Sequence, residues 1–302
     1  MKNVIHIRGY RQNLHLRAND LKKSDMDNVN KTLYIPLYGK ALVSSKNIII
    51  KDKKAEEIWS KEGFELKGKS KSKWLAYYMA MRSAVYDEWL EKELNSKPNA
   101  IVVHIGCGMD SRIERVSGQN QKWYDIDFPG VIEERRKYYT GTDTYHMLAA
   151  DMRTDEWKQH IEAGQDAIIV LEGVSMYFEP DELNGLLSNL VEHFNSIKIL
   201  MDCYTEKAAK VSKYKNPIND VGVTTVYGYD NPEELAGKSG LVFVKEYHMT
   251  PQKYIEELQG MERRVFKTFF AGKIAKSMYR MYEFKTINVT LPMSDGGGHL
   301  FF

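Results

Sequence analysis

Cysteine is scarce: Cys107 and Cys203 are the only two in 302 residues. A disulfide-stapled scaffold, which needs several pairs in a short chain, is thereby excluded. Long apolar runs are also missing. No stretch approaches 18 consecutive apolar residues, so no transmembrane helix is expected. The start, Met1 to Arg8, has no apolar signal-peptide core, which makes the cytoplasm the expected location. Net charge is small, with 43 Lys/Arg against 41 Asp/Glu. No basic stripe interleaved with aromatics emerges, so neither nucleic acid nor a membrane is an expected partner. Internal repeats and low-complexity segments are absent. So are a His/Cys cluster with metal-ligand spacing and a Ser/His/Asp arrangement; no metal is expected and no catalytic residue is assigned.

What remains is an ordinary globular composition, 43% hydrophobic and 28% charged. A chain of this length buries a substantial core without staples. The charge is uneven: residues 1–100 hold 20 Lys/Arg and 12 Asp/Glu, whereas residues 101–302 hold 23 and 29. A basic first third fits either a solvated helical cap or an acidic partner. The small, basic run Lys67 to Lys73 fits an exposed loop or a phosphate contact. Trp74 to Leu94 predicts one helix, with Tyr77, Met81, Val85 and Trp89 recurring every fourth residue and Arg82 beside them.

From residue 101 the pattern alternates between strand and helix. Strands are expected at Ile101–Ile105, Trp123–Asp127, Tyr145–Ala150, Ala167–Leu171, Ile197–Tyr204, Leu241–Val244 and Phe284–Leu291. Helices are expected from Pro129 to about Tyr139, around Glu156–Ala163 and over Pro180–Phe194. This rhythm predicts a parallel sheet in an α/β fold. Residues 205–240, rich in Lys, Tyr, Asn and Gly, break it and fit an insertion over the open end of the sheet. Gly296 to Gly298 predict a turn or a flexible tail.

Ligands of open α/β sheets bind at the carboxyl ends of the strands. Those ends carry Gly106-Cys107-Gly108, then Asp125 and Asp127, Asp151, Glu172-Gly173, and finally Asp202 and Tyr204. Two glycines around one residue permit a tight turn and close backbone approach. Ser111 stands where a dinucleotide fingerprint has its third glycine, so the pair alone is also a plain strand-to-helix turn. Asp127 follows 19 residues after Gly108 at the next strand end, where a carboxylate accepts ribose hydroxyls. Asp151-Met152 suits an adenine, the carboxylate taking its amino group and the thioether packing on its ring. An acidic edge repels a pyrophosphate and favours a cationic nucleoside without phosphates. S-adenosylmethionine has both properties.

Five stretches resemble the leucine carboxyl methyltransferase family, which includes bacterial polyketide-type O-methyltransferases. They are Thr32 to Ala41, Ala80 to Asp87, His104 to Arg112, Trp123 to Pro129 and Glu172 to Phe178. The resemblance spans about residues 30–205, in the family's order. It implies a class I methyltransferase, a Rossmann-like seven-stranded α/β sheet whose seventh strand is antiparallel. A helical region (1–95) would cap the cofactor site of an α/β domain (96–302) that carries a lid insertion at about 205–240. The resemblance implies that Arg82 binds the cofactor's carboxylate and that Gly106, Cys107 and Gly108 pass under its methionine moiety. It further implies that Asp127 holds the ribose, that Asp151 lies by the adenine and that Glu172 faces the methionine end. Two departures stand out: Cys107 where the family commonly has Ala, and Lys40 where Arg is common.

The expected activity is therefore S-adenosylmethionine-dependent O-methylation of a small-molecule acceptor, a carboxylate or hydroxyl of a polyketide-like metabolite, releasing S-adenosylhomocysteine. A protein C-terminal carboxylate and a non-catalytic scaffold are the alternatives; a nicotinamide dehydrogenase lacks its third glycine. A carboxylate is ionised at pH 7 and needs no base, whereas a phenol does. His248, after the sixth strand, is a candidate base. Arg263, Arg264, Arg280, Lys207 and Lys210 are candidate cations near the acceptor, and Tyr204, Tyr227 and Tyr229 are candidate pocket walls.

Overall fold

The computed structural model describes residues 33–61, 66, 68–116, 121–212 and 225–287. Thr32, Lys67, the middle of the expected insertion (213–224) and Gly296 to Gly298 lie outside the described residues.

Seven strands form one sheet: β1 (Ile101–Ile105), β2 (Trp123–Asp127), β3 (Tyr145–Ala149), β4 (Asp166–Leu171), β5 (Ser196–Tyr204), β6 (Leu241–Tyr247) and β7 (Tyr279–Thr286). Their order is β3-β2-β1-β4-β5-β7-β6, and only β7 runs antiparallel to its neighbours. This is the α/β arrangement of a class I methyltransferase. Strand β7 begins five residues earlier than the expected Phe284. Met281, Tyr282 and Phe284 are buried between β5 and β6, and it is this tertiary pairing that recruits Tyr279 and Arg280 into the strand.

The central strands β1 and β4 are short, nearly continuous apolar runs because both faces of the sheet are covered there. Helices lie on each side, and the short α4 (Arg112–Val116) and α7 (Glu206–Ser212) follow β1 and β5. The first group is α1 (33–45), α2 (Lys53–Lys61), α3 (Lys73–Ser96), α9 (Gln252–Glu257) and α10 (Gly260–Phe269). Their Leu37, Ile58, Tyr77, Ile255 and Phe266 share a core with Val102, Ile168, Leu200 and Met281 of the sheet. This core joins residues on both sides of position 95. The other face, with Val103, Ile169, Leu171 and Ile199, packs against α6 (Pro180–His193) and α8 (Pro232–Lys238). Helix α6 starts at Pro180 behind a capping box in which Glu179 N–H donates to the Glu182 carboxylate at 2.9 Å.

Helix α3 departs from the one-sided stripe. Its expected Tyr77, Met81, Val85 and Trp89 are buried, but so are Arg82, Ser83, Tyr86 and Asp87 on other faces. Helix α1 crosses it closely: a Cβ on Gly39 would lie 3.0 Å from the Ala76 carbonyl oxygen. The polar residues of α3 are therefore interior, and they need partners. Two expected helices are shorter than the pattern suggests. The stretch after β2 forms only α5 (Pro129–Arg135), and Glu156–His160 is a single 3₁₀ turn. Among the described residues, no helix is long and apolar enough to cross a membrane, and no His/Cys/Asp/Glu group suits a metal ion.

Candidate active site

The strand order reverses between β1 and β4, so the crevice where α/β sheets hold ligands opens beside Gly106 and Glu172-Gly173. Gly106 has φ +67°, and a Cβ there would stand 2.4 Å from Val174 Cγ2; both facts require glycine. The Gly106 N–H donates to the Ile126 carbonyl at 2.8 Å, fixing the loop to β2. Asp127 then clasps the loop from the neighbouring strand. Its Oδ2 accepts the Gly108 N–H at 2.8 Å and its Oδ1 the Phe128 N–H at 2.8 Å. Each oxygen keeps a further lone pair for a ligand hydroxyl. Burial raises the Asp127 pKa against these two bonds, which lower it. Cys107 is buried, and burial lifts its thiol well above the ordinary range, so it is inert.

Asp125 is not part of the acidic edge. It points inward, accepting from Trp123 Nε1 at 2.9 Å, from the Tyr145 hydroxyl at 2.7 Å and from Arg135, with His104 Nδ1 at 3.2 Å. Its burial works against ionisation, but the Arg135 guanidinium and the His104 contact hold its carboxyl down at about 2. Arg135 Nη1 also donates to the Gly108 carbonyl at 3.0 Å, so Asp125 braces the glycine loop from behind. Asp151 lies at the third strand end, half-buried. Its carboxylate accepts from the Arg153 backbone N–H at 3.1 Å and from Arg153 Nη2 at 2.7 Å. Met152 beside it is buried against Ala150 and Trp157.

Arg82 reaches the same crevice from α3. Its Nε donates to Glu172 Oε1 at 3.0 Å, and its Nη1 to Asp202 Oδ2 at 3.1 Å and to the Tyr279 hydroxyl at 3.0 Å. Among the described residues nothing accepts from its Nη2. Gly173 (φ +71°) lets the guanidinium lie on the backbone: a Cβ there would be 3.2 Å from both Nη atoms. Glu172 is fully engaged, with Oε1 also accepting from Ser83 Oγ at 2.9 Å and Oε2 from Arg112. Burial opposes its ionisation, but the Arg112 and Arg82 guanidinium groups win and hold its carboxyl at about 2. Glu172 thus orients Arg82 directly. Asp202 completes the cradle, accepting the Gly173 N–H at 2.6 Å, the Tyr86 hydroxyl at 3.1 Å and the Tyr279 hydroxyl. Its pKa is raised, burial outweighing the attraction of Arg82.

Behind Arg82 the charges continue. Arg112 Nε meets Asp87 at 2.7 Å and its Nη1 meets Asp110 at 2.9 Å. Arg115 bridges Asp52, Asp87 and Asp110. Lys40, buried on α1, pairs with Asp110 at 2.8 Å and ties that helix to the segment after the glycine loop. Sequence reasoning left Lys40, Ser83, Asp87, Asp110, Arg112 and Tyr279 without roles. All but Tyr279 lie within the quoted motifs; their pairings join distant segments and carry no local signal.

Residues 227–229 are tied to the turn after β4 and to the end of β5. Tyr227 N–H donates to the Met176 carbonyl at 2.8 Å, and Tyr229 N–H to the Tyr204 carbonyl at 2.7 Å. Of the three candidate wall residues, Tyr204 stands against the Tyr279 ring at 4.9 Å. Tyr229 is buried with its hydroxyl on the Phe178 carbonyl, and Tyr227 bonds Glu179 at the surface. The candidate cations are engaged elsewhere or exposed. Arg280 pairs with Glu246 at 2.7 Å, Lys210 with Glu206 at 3.4 Å, and Arg263 donates to the Leu258 carbonyl. His248 is exposed.

A family model for leucine carboxyl methyltransferases matches residues 20–191. The chain belongs to the leucine carboxyl methyltransferase family. It is accordingly an S-adenosylmethionine-dependent methyltransferase. It is 26% identical over 240 residues to the tetracenomycin polyketide synthesis O-methyltransferase TcmP of Streptomyces glaucescens, covering 78% of this chain and 89% of that protein. It is 24% identical over 262 residues to the S-adenosyl-L-methionine-dependent methyltransferase dpfgK of Gibberella zeae, covering 79% and 85%. Among solved structures it is similar to magnesium protoporphyrin IX methyltransferase from Synechocystis with bound S-adenosylhomocysteine. There the TM-score is 0.47 at 10% identity, over 78% of this chain and 93% of that one.

Proposed function

We propose that the chain transfers a methyl group from S-adenosylmethionine to an oxygen of a small, polyketide-like acceptor. The observation that carries this reading is Arg82, held rigidly by Glu172 and Asp202 beside the glycine loop with its Nη2 edge unused among the described residues. A guanidinium edge so placed suits the cofactor's carboxylate. Gly106, Cys107 and Gly108 would pass under the methionine moiety, Asp127 would accept the two ribose hydroxyls, and Asp151 and Met152 would meet the adenine. Glu172 orients Arg82 and adds negative potential toward the cationic end. When bound, S-adenosylmethionine supplies a methyl group on a positively charged sulfur, open to in-line attack by oxygen. The chain's own residues align the partners and exclude water. Among the described residues no uncommitted base stands beside Arg82: Asp202 has both oxygens bonded and His248 is exposed. A carboxylate acceptor, already ionised, suits that environment better than a phenol.

Methyl-labelled S-adenosylmethionine, incubated with the enzyme and extracts of its source, tests this directly. Label entering an organic-soluble fraction in a base-labile form supports a methyl ester on a small acceptor. Label confined to protein overturns the small-molecule reading in favour of a C-terminal carboxylate.

A further inference from the structure

A cleft opens at the same strand edge, on the far side of Tyr279 from the glycine loop. Tyr78, Phe270 and Tyr279 line it, with His248 and Lys276 among the remaining residues. Tyr78 stands one helical turn before Arg82 on α3 and lies nearly parallel to Tyr279, with ring centroids 6.4 Å apart at 14°. Tyr279 is shared between the two places. Its hydroxyl meets Arg82 and Asp202, and the same residue lines the cleft. A molecule reacting beside Arg82 and extending along Tyr279 would enter this cleft.

The charges there do not balance. The Glu246 carboxylate is matched by Arg280 at 2.7 Å, whereas Lys276 and His248 have no ion-pair partner among the described residues. A lining with three aromatic residues favours an aromatic ring system, and an unmatched cation beside it favours an anion. We propose that the cleft holds the distal half of the methyl acceptor, a planar aromatic ring system whose anionic substituent is met by Lys276 and His248. This rests on the methyltransferase reading above and names the acceptor's chemical class.

The test uses the full chain saturated with S-adenosylhomocysteine, so that Arg82 is already engaged. Calorimetry then compares 2-naphthoate with its uncharged analogue 2-naphthamide. The wild type should bind naphthoate about three- to fivefold more tightly, the range expected of a partly exposed ion pair. Lys276→Ala should reduce that preference to less than about twofold, His248→Ala should reduce it partly, and added salt should weaken it in the wild type. Equal affinity for both probes in the wild type, or a preference retained in Lys276→Ala, overturns the proposal. Binding of S-adenosylhomocysteine in the same samples separates the two failures. If it binds and naphthoate shows no preference, the cleft assignment alone falls; if it does not bind, the methyltransferase reading falls with it.

Discussion

Gly106 illustrates how a single residue sets the site. Alanine there would meet Val174 Cγ2 at 2.4 Å and would hold a positive φ that a Cβ disfavours. Gly106→Ala should cost about 1–3 kcal/mol of stability in urea unfolding and weaken S-adenosylhomocysteine binding at least about tenfold. Adding Val174→Ala should recover part of the stability by relieving the contact. Glu172 makes a second residue-scale case. Glu172→Gln leaves Arg82 and Arg112 facing a neutral amide, and breaking a buried pair in this way costs about 3–5 kcal/mol. The same variant should weaken cofactor binding, because Arg82 loses the partner at its Nε. The glycine pair and Asp127 were legible in the sequence because their relation is local: a turn, then a strand end 19 residues on. The true partner of Glu172 was not. Arg82 lies 90 positions away, and only folding brings the two together.

Among the elements, α3 is the one whose burial the sequence understated. Periodicity identifies the face that meets a core, but says nothing of a polar face covered by a second helix layer. Arg82, Ser83 and Asp87 lie off the apolar stripe and are buried all the same, where α1 crosses α3 and Glu172 and Arg112 receive their polar groups. Lys40 records the same event from α1. Lys40→Ala should destabilise the fold by about 1–3 kcal/mol in urea unfolding, since Asp110 loses one charged partner but keeps Arg112 and Arg115. An unchanged midpoint would mean that α1 is held by apolar packing alone. The central strands β1 and β4 were legible as apolar runs between turns because both faces of the sheet are buried there. The start of β7 was not, because Tyr279 and Arg280 become strand by pairing with Cys203 and Tyr204 of β5.

For the molecule as a whole, buried carboxylates dictate the response to acid. Glu172 falls from an ordinary 4.5 to about 2 and Asp125 from 3.8 to about 2, while Asp110 is held well below its ordinary range. A depressed folded pKa gives stability that is present above the unfolded value and lost as pH falls through the folded one. Asp127 and Asp202 are raised and carry the opposite sign, so they offset part of the loss. Stability should therefore hold down to about pH 4.5 and fall between about pH 4.5 and 2, by up to about 1.4 kcal/mol per pH unit for each depressed group. Circular dichroism across that window checks it, and Glu172→Gln should show a shallower fall from a lower plateau.

The central claim is that this strand edge is an S-adenosylmethionine site built on Arg82 and Asp127. Isothermal titration of S-adenosylmethionine and S-adenosylhomocysteine into the wild type, Arg82→Ala and Asp127→Ala tests it most directly. The account predicts binding at roughly micromolar affinity, weakened at least about tenfold by either substitution, which is about 1.4 kcal/mol or more. Folded wild-type protein that binds neither ligand, or variants that bind as tightly as the wild type, would contradict it.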